Sequence, residues 1–165
     1  MPSPRQTHFL AAAFCAALIA IALYMQHGMG LEPCYLCIVQ RLFVIAVGAL
    51  LLIAALHNPG PIGQRIYSGL GALSALLGGG FSTRQLWLQS LPADQVPACG
   101  PPAEYLFDAL PLADALGLLL RGDGNCAEIQ WALLGISIPG WTLMAFAGLF
   151  AVCVWQLLRS RRGDV

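Results

Sequence analysis

The chain has 165 residues, 58% of them hydrophobic and only 10% charged. Soluble domains carry about a quarter charged residues, and a soluble protein this short could not hide so much apolar surface, so the bilayer is the expected solvent. Net charge is zero, which gives no electrostatic reason to expect nucleic-acid binding.

A helix needs about 20 apolar residues to cross a bilayer, and four stretches lack charge for long enough. They run from about Phe9 to Met25, Ile38 to Leu56, Ile66 to Phe81 and Trp141 to Leu158. In lipid only helices or closed barrels satisfy their own backbone hydrogen bonds. These runs are continuous and do not alternate as barrel strands do. The expectation is an all-α membrane protein: one integral domain over residues 1–165, built as a four-transmembrane-helix bundle. The first stretch follows Arg5 as a signal peptide would. Its apolar run exceeds the roughly 7–15 residues of a signal core, and Tyr24-Met25-Gln26-His27 offers no small-x-small cleavage site, so an uncleaved span is expected. The third stretch is short and contains Gly71 and Gly78-Gly79-Gly80, glycines that allow close helix approach or end the helix.

Orientation follows from arginine, the only basic residue besides histidine; lysine is absent. Arg5, Arg65, Arg159, Arg161 and Arg162 lie at the two termini and in the second connection. Seven of the eight acids lie in the other two connections. The positive-inside rule then puts both termini in the cytoplasm. A short loop of about residues 26–37 and a long loop of about 84–139 are expected outside. Within the long loop, Ala103 to Leu120 is amphipathic, with Tyr105, Leu106, Ala109, Leu110, Leu116 and Leu119 apolar and Glu104, Asp108 and Asp114 acidic. Such a segment lies flat on a membrane surface or packs on the bundle as a loop helix, and Pro111 divides it into two pieces as readily as it kinks one helix.

Four of the six cysteines fall on the outer loops: Cys34, Cys37, Cys99 and Cys126. In an oxidising compartment they suggest two disulfides with three possible connectivities. Local pairing, Cys34 with Cys37 and Cys99 with Cys126, has the lowest closure cost. A ring as small as Cys34-Tyr35-Leu36-Cys37 gives little stabilisation; its spacing is that of dithiols in which one thiol attacks and its neighbour resolves. Two structural bridges are the bland reading. A four-thiolate zinc site would need all four sulfurs reduced, which the outer face disfavours, and haem attachment would need histidine where Ile38 stands. Cys15 and Cys153, inside the spans, read as packing residues. Arg41 follows Cys37 at i+4. A cation just inside lipid snorkels, pairs or binds something, and there it would stabilise negative charge developing on a quinone oxygen or a thiolate.

With these motifs the chain resembles the disulfide bond formation protein B (DsbB) family of bacterial inner membranes. The residues that carry the resemblance are Pro33-Cys34-Tyr35-Leu36-Cys37 with Gln40-Arg41, Cys126-Ala127-Glu128 with Gln130-Trp131, and Leu134-Gly135-Ile136-Ser137-Ile138-Pro139-Gly140-Trp141. The resemblance implies a quinone-dependent protein-disulfide oxidoreductase of the inner membrane, active on the periplasmic face. It would reoxidise a periplasmic, thioredoxin-fold, DsbA-like thiol oxidase and pass the electrons to a membrane quinone, ubiquinone or menaquinone. Cys99 and Cys126 would form the loop disulfide, Cys99 making the mixed disulfide with the partner. Cys34 and Cys37 would reoxidise that pair, with Cys37 facing the quinone and Arg41 helping to hold and polarise its ring. Many members carry histidine at the outer end of the third span, where this chain has Gln85 after Arg84. Gln85 can donate to a quinone oxygen but brings no charge, and a solvated loop position is the alternative. His27 is a candidate proton source or an exposed residue. The long loop, with Gly100-Pro101-Pro102 and Gly122-Asp123-Gly124, is expected to move for its cysteines to reach the first loop. Competing classes are a non-catalytic membrane scaffold with two structural disulfides and a vitamin K epoxide reductase, whose usual dithiol lies toward the last helix instead of before the second.

Overall fold

The computed structural model describes residues 3–101, 105–106 and 110–162, with backbone only for 160–162. Among the described residues four long helices form the body: α1 (Pro4–His27), α2 (Tyr35–His57), α3 (Pro61–Gln89) and α5 (Ile138–Arg162). A short helix, α4 (Leu112–Arg121), and a 3₁₀ turn (Gly124–Ala127) lie in the long connection. Ahead of α5 stands a hairpin of β1 (Ala132–Leu133) and β2 (Ile136–Ser137). The fold is an α-helical membrane bundle. Among the described residues, α1, α2 and α5 are long and apolar enough to cross a bilayer.

The helix ends follow local chemistry. Ser3 caps α1 in a reciprocal box: its hydroxyl accepts from the Gln6 N–H at 3.2 Å, and Gln6 Oε1 accepts from the Ser3 N–H at 2.9 Å. Pro4 and Pro61 occupy first-turn positions, where a missing N–H costs nothing. Asn58 ends α2 in the left-handed region, and Pro59-Gly60-Pro61 turns the chain into α3.

α3 packs most extensively on α5 and on α2, while α1 packs on α2. Its 29 residues are not as apolar as its neighbours because its inner face is built of small and polar residues: Ser68, Gly71, Ala75, Gly78, Ser82 and Gln85. Small residues let helices approach closely in lipid. The ring of Phe146 from α5 lies directly on Gly78, where a Cβ would come within 2.3 Å of the ring. One apolar core fills the middle of the bundle around Val47, Leu51, Phe146 and Cys153. The buried Cys15 and Cys153 belong to it, as expected of packing residues. A second core, of Tyr35, Leu36, Leu88, Leu106, Ala115 and Cys126, sits under the long connection.

Among the described residues that connection takes the divided form of the expected amphipathic segment. Helix α4 begins only after Pro111, so the proline divides the segment. Ala103, Glu104, Asp108 and Ala109 lie outside the described residues. Leu106 and Ala115 are buried in the outer core, whereas Leu112, Leu116 and Leu120 form an exposed stripe on α4. The hairpin turns on Leu134 and Gly135, both at positive φ (54° and 79°), which gives the twist that two-residue hairpins need. Ser137 ties it to the end of α3 by donating to Gln89 Oε1 at 2.8 Å.

Candidate functional site: a dithiol, an amide and a buried loop cysteine

Cys34 is the N-cap of α2 and Cys37 lies in its first turn. Helix N-termini carry partial positive charge, which favours the anionic form of a sulfur placed there. All six cysteines are free thiols, and the sulfurs of Cys34 and Cys37 are 2.9 Å apart.

Gln85 joins them from α3. The helix runs eight residues beyond the expected end at Phe81, so Gln85 is 3% exposed and faces inward. It is not a solvated loop residue. The physical reason is register: the small-residue face through Gly78 and Ser82 repeats at 3- and 4-residue steps, and the next position on it is 85. Gln85 Nε2 stands 3.2 Å from Cys34 Sγ and 3.3 Å from Cys37 Sγ. Gln40, also buried, donates to Gln85 Oε1 at 2.7 Å. Sequence reasoning gave Gln40 no role of its own.

The long connection brings its own cysteines to this spot in unequal ways. Cys126 is fully buried in the 3₁₀ turn and shares the outer core with Cys34, whose own thiol donates to Cys37 Sγ. The nearby Cys34 holds the Cys126 thiol below its ordinary value of 9.0, while Cys126 and Cys37 together push Cys34 above its own. Of the two loop cysteines, Cys126 is thus the one packed beside the first loop. Cys99 is exposed. It runs alongside the 3₁₀ turn because residue 124 is glycine: a Cβ there would lie 2.4 Å from the Pro97 carbonyl and 3.0 Å from Cys99 Sγ.

Asp123 clasps the two segments and was missed in the sequence, where Gly122-Asp123-Gly124 reads as an ordinary turn. It is 1% exposed. Its Oδ2 accepts from the Gly100 N–H at 2.7 Å and from Asn125 Nδ2 at 2.6 Å, and its Oδ1 lies 3.5 Å from Cys126 Sγ. Tyr35 adds a second tie by donating its hydroxyl to the Pro101 carbonyl.

Arg41 is half-buried and turns toward α1, donating to Gln26 Oε1 and, at 3.2 Å, to the Ala22 carbonyl. It therefore fastens α2 to the last turns of α1, where backbone carbonyls attract a cation. A guanidinium has five N–H donors, so these two bonds leave capacity for a further acceptor. His27 is exposed at the end of α1.

A cavity of about 20 Å³ beside the dithiol is lined by Cys34, Cys37, Gln85, Gln89, Asn125 and Glu128, among others. It has room for a water molecule. The spare N–H donors of Arg41, one turn after Cys37, and the Gln85 amide are the kind of donors that quinone oxygens would accept from.

A model of the family described as disulfide bond formation protein DsbB matches residues 4–156. The chain is 57% identical over 160 residues to disulfide bond formation protein B of Saccharophagus degradans, covering 97% of this chain and 96% of that one. It is 53% identical over 159 residues to the protein of that name from Chromobacterium violaceum, covering 96% of each. It is 50% identical over 159 residues to that of Stutzerimonas stutzeri, covering 96% and 98%. A membrane helical bundle with thiols gathered at one end, matched to relatives of that name over nearly its whole length, belongs to the disulfide bond formation protein B family.

Proposed function

We propose that this multi-pass membrane protein of disulfide formation is a thiol:quinone oxidoreductase. It reoxidises a periplasmic, DsbA-like dithiol oxidase and delivers the electrons to ubiquinone or menaquinone in the bacterial inner membrane. The observation that carries this reading is that buried Cys126 shares one outer core with Cys34, which brings a loop thiol to the dithiol at the start of α2.

The chemistry follows from exposure. Cys99, the exposed thiol, is the sulfur that a partner thiolate attacks when Cys99 and Cys126 are joined. The new bond is between the partner and Cys99; the electron pair of the broken bond leaves on Cys126. The Cys126 thiolate then attacks Cys34 of the Cys34–Cys37 disulfide and Cys37 leaves as thiolate. A second partner thiol releases Cys99, and Cys99 in turn displaces Cys34 from Cys126. The partner ends as a disulfide, the loop disulfide is restored, and Cys34 and Cys37 hold the two electrons. A quinone, when bound, supplies the two-electron, two-proton acceptor that returns them to a disulfide. Arg41 and Gln85 are the residues that would hold its oxygens, by charge and by N–H donation.

The orientation belongs to the same reading. The arginine-rich connections and termini are cytoplasmic, α3 is the fourth span, and the cysteine loops lie outside. The leucine stripe of α4 rests on the outer leaflet.

The test is anaerobic quinone reduction by purified protein in detergent, driven by a reduced thioredoxin-fold oxidase. Cys37→Ser and Cys99→Ser are expected to lose turnover. Full activity in both would overturn the relay.

A further inference from the structure

Two buried glutamines form a chain that ends on the dithiol. Gln40 lies on α2 three residues after Cys37, Gln85 lies on α3, and each is 3% exposed. Burying two amides in a helix seam of a membrane bundle is costly unless their donors and acceptors are used. Gln40 Nε2 donates to Gln85 Oε1 at 2.7 Å. A primary amide has two N–H groups and one oxygen. With that oxygen directed to Gln40, the amide nitrogen of Gln85 faces both sulfurs, Cys34 at 3.2 Å and Cys37 at 3.3 Å, which lie 2.9 Å apart and so share its N–H donation. Turned over, Gln85 would set its oxygen lone pairs against those sulfurs, which repels negative charge. Cys37 Sγ does lie 3.6 Å from Gln85 Oε1, a length at which a hydrogen bond is weak.

We infer that Gln40 is a positioning residue for the dithiol: by holding the carbonyl of Gln85 it keeps that amide's N–H groups on Cys34 and Cys37, the sulfurs that carry negative charge during exchange. The inference rests on the reading of Cys34–Cys37 as a redox pair. It gives Gln85 a task toward sulfur in addition to the one proposed toward quinone.

The test is site-resolved alkylation of the reduced full-length protein by iodoacetamide in detergent at neutral pH, read by mass spectrometry. Gln40→Met removes the donor at nearly constant shape and is expected to slow alkylation of Cys37 about five- to tenfold, the scale of one net hydrogen bond. In a Gln85→Met background the same replacement is expected to change the rate less than about twofold, because the residue through which it acts is gone. The alkylation rate of Cys99 reports that the fold is intact. A wild-type rate in Gln40→Met, or an equal fall with and without Gln85, overturns the inference. If Gln40→Met does not fold, Gln40→Leu decides: it has no donor for the Gln85 oxygen, so slowing that disappears in the Gln85→Met background upholds the inference, and slowing that persists there, or none, overturns it. The assay uses neither quinone nor partner. Its failure removes the role of Gln40 and leaves the relay standing, while failure of quinone reduction leaves the amide chain standing.

Discussion

Cys99 and Cys126 share one connection, yet one is open to solvent and the other fully buried. Reactivity of a thiol follows access as well as ionisation, so in the reduced protein a bulky maleimide is expected to modify Cys99 at least about tenfold faster than Cys126. Mass spectrometry of a time course checks this, and equal rates would remove the basis for assigning attack to Cys99. The lowering of the Cys126 thiol by Cys34 makes a second prediction. A hydrogen bond donated to sulfur favours the thiolate, so its loss raises the pKa. In Cys34→Ala the pH midpoint for alkylation of Cys126 is expected to move up from below 9.0; an unmoved midpoint would show that Cys34 is not what lowers it. Asp123→Ala strands the Gly100 N–H and unclasps the two segments, at an expected cost of about 1–3 kcal/mol in unfolding free energy. Asp123→Asn, which keeps an acceptor oxygen, should lose less. At this scale the sequence was informative about chemistry and poor about surroundings. The cysteines and Arg41 announce themselves by type and spacing. The partners of Gln85, Gln40 and Asp123 are set by which side chains tertiary packing encloses, and a polar residue in a helix or a Gly-Asp-Gly turn carries no local sign of burial.

Among the elements, α3 and the 3₁₀ turn depend on glycine for opposite ends of the same task. Gly78 lets α3 close on Phe146, and Gly124 lets the Cys99 segment close on the Cys126 turn. Gly124→Ala would drive a methyl group into the Pro97 carbonyl, which is backbone and cannot swing aside. Overpacking of this kind costs about 1–3 kcal/mol. Here it falls on the loop, so thiol-driven quinone reduction is expected to drop while the thermal midpoint of the bundle changes little. A variant with normal turnover would mean that Cys99 does not work from this position. The apolar runs of α1, α2 and α5 were plain in the sequence because lipid demands long uncharged stretches. The extent of α3 was not, because its inner face is solvated by neighbouring helices and its composition reflects packing. Its last two turns, Ser82 to Gln89, look like the beginning of a polar loop and are the turns that deliver Gln85.

For the whole molecule, orientation is the claim that the arginine pattern makes and that an external reagent can examine. A membrane-impermeant maleimide added to intact spheroplasts is expected to label Cys99 without lysis; labelling only after lysis would invert the proposed topology. The bundle, its membrane setting and its thiol chemistry were legible from composition, hydropathy and cysteine spacing. The meeting of Cys126 with Cys34 was not, since the segment between residues 99 and 126 could be docked or mobile with the same composition.

The cavity beside the dithiol has Cys34, Cys37 and Gln85 on one side and Asn125, Glu128 and Ile129 of the long connection on the other. The segment that carries Cys126 therefore also lines the approach to the dithiol. A replacement in that segment alters two things at once: the sulfur it presents and the space through which a small thiol would come.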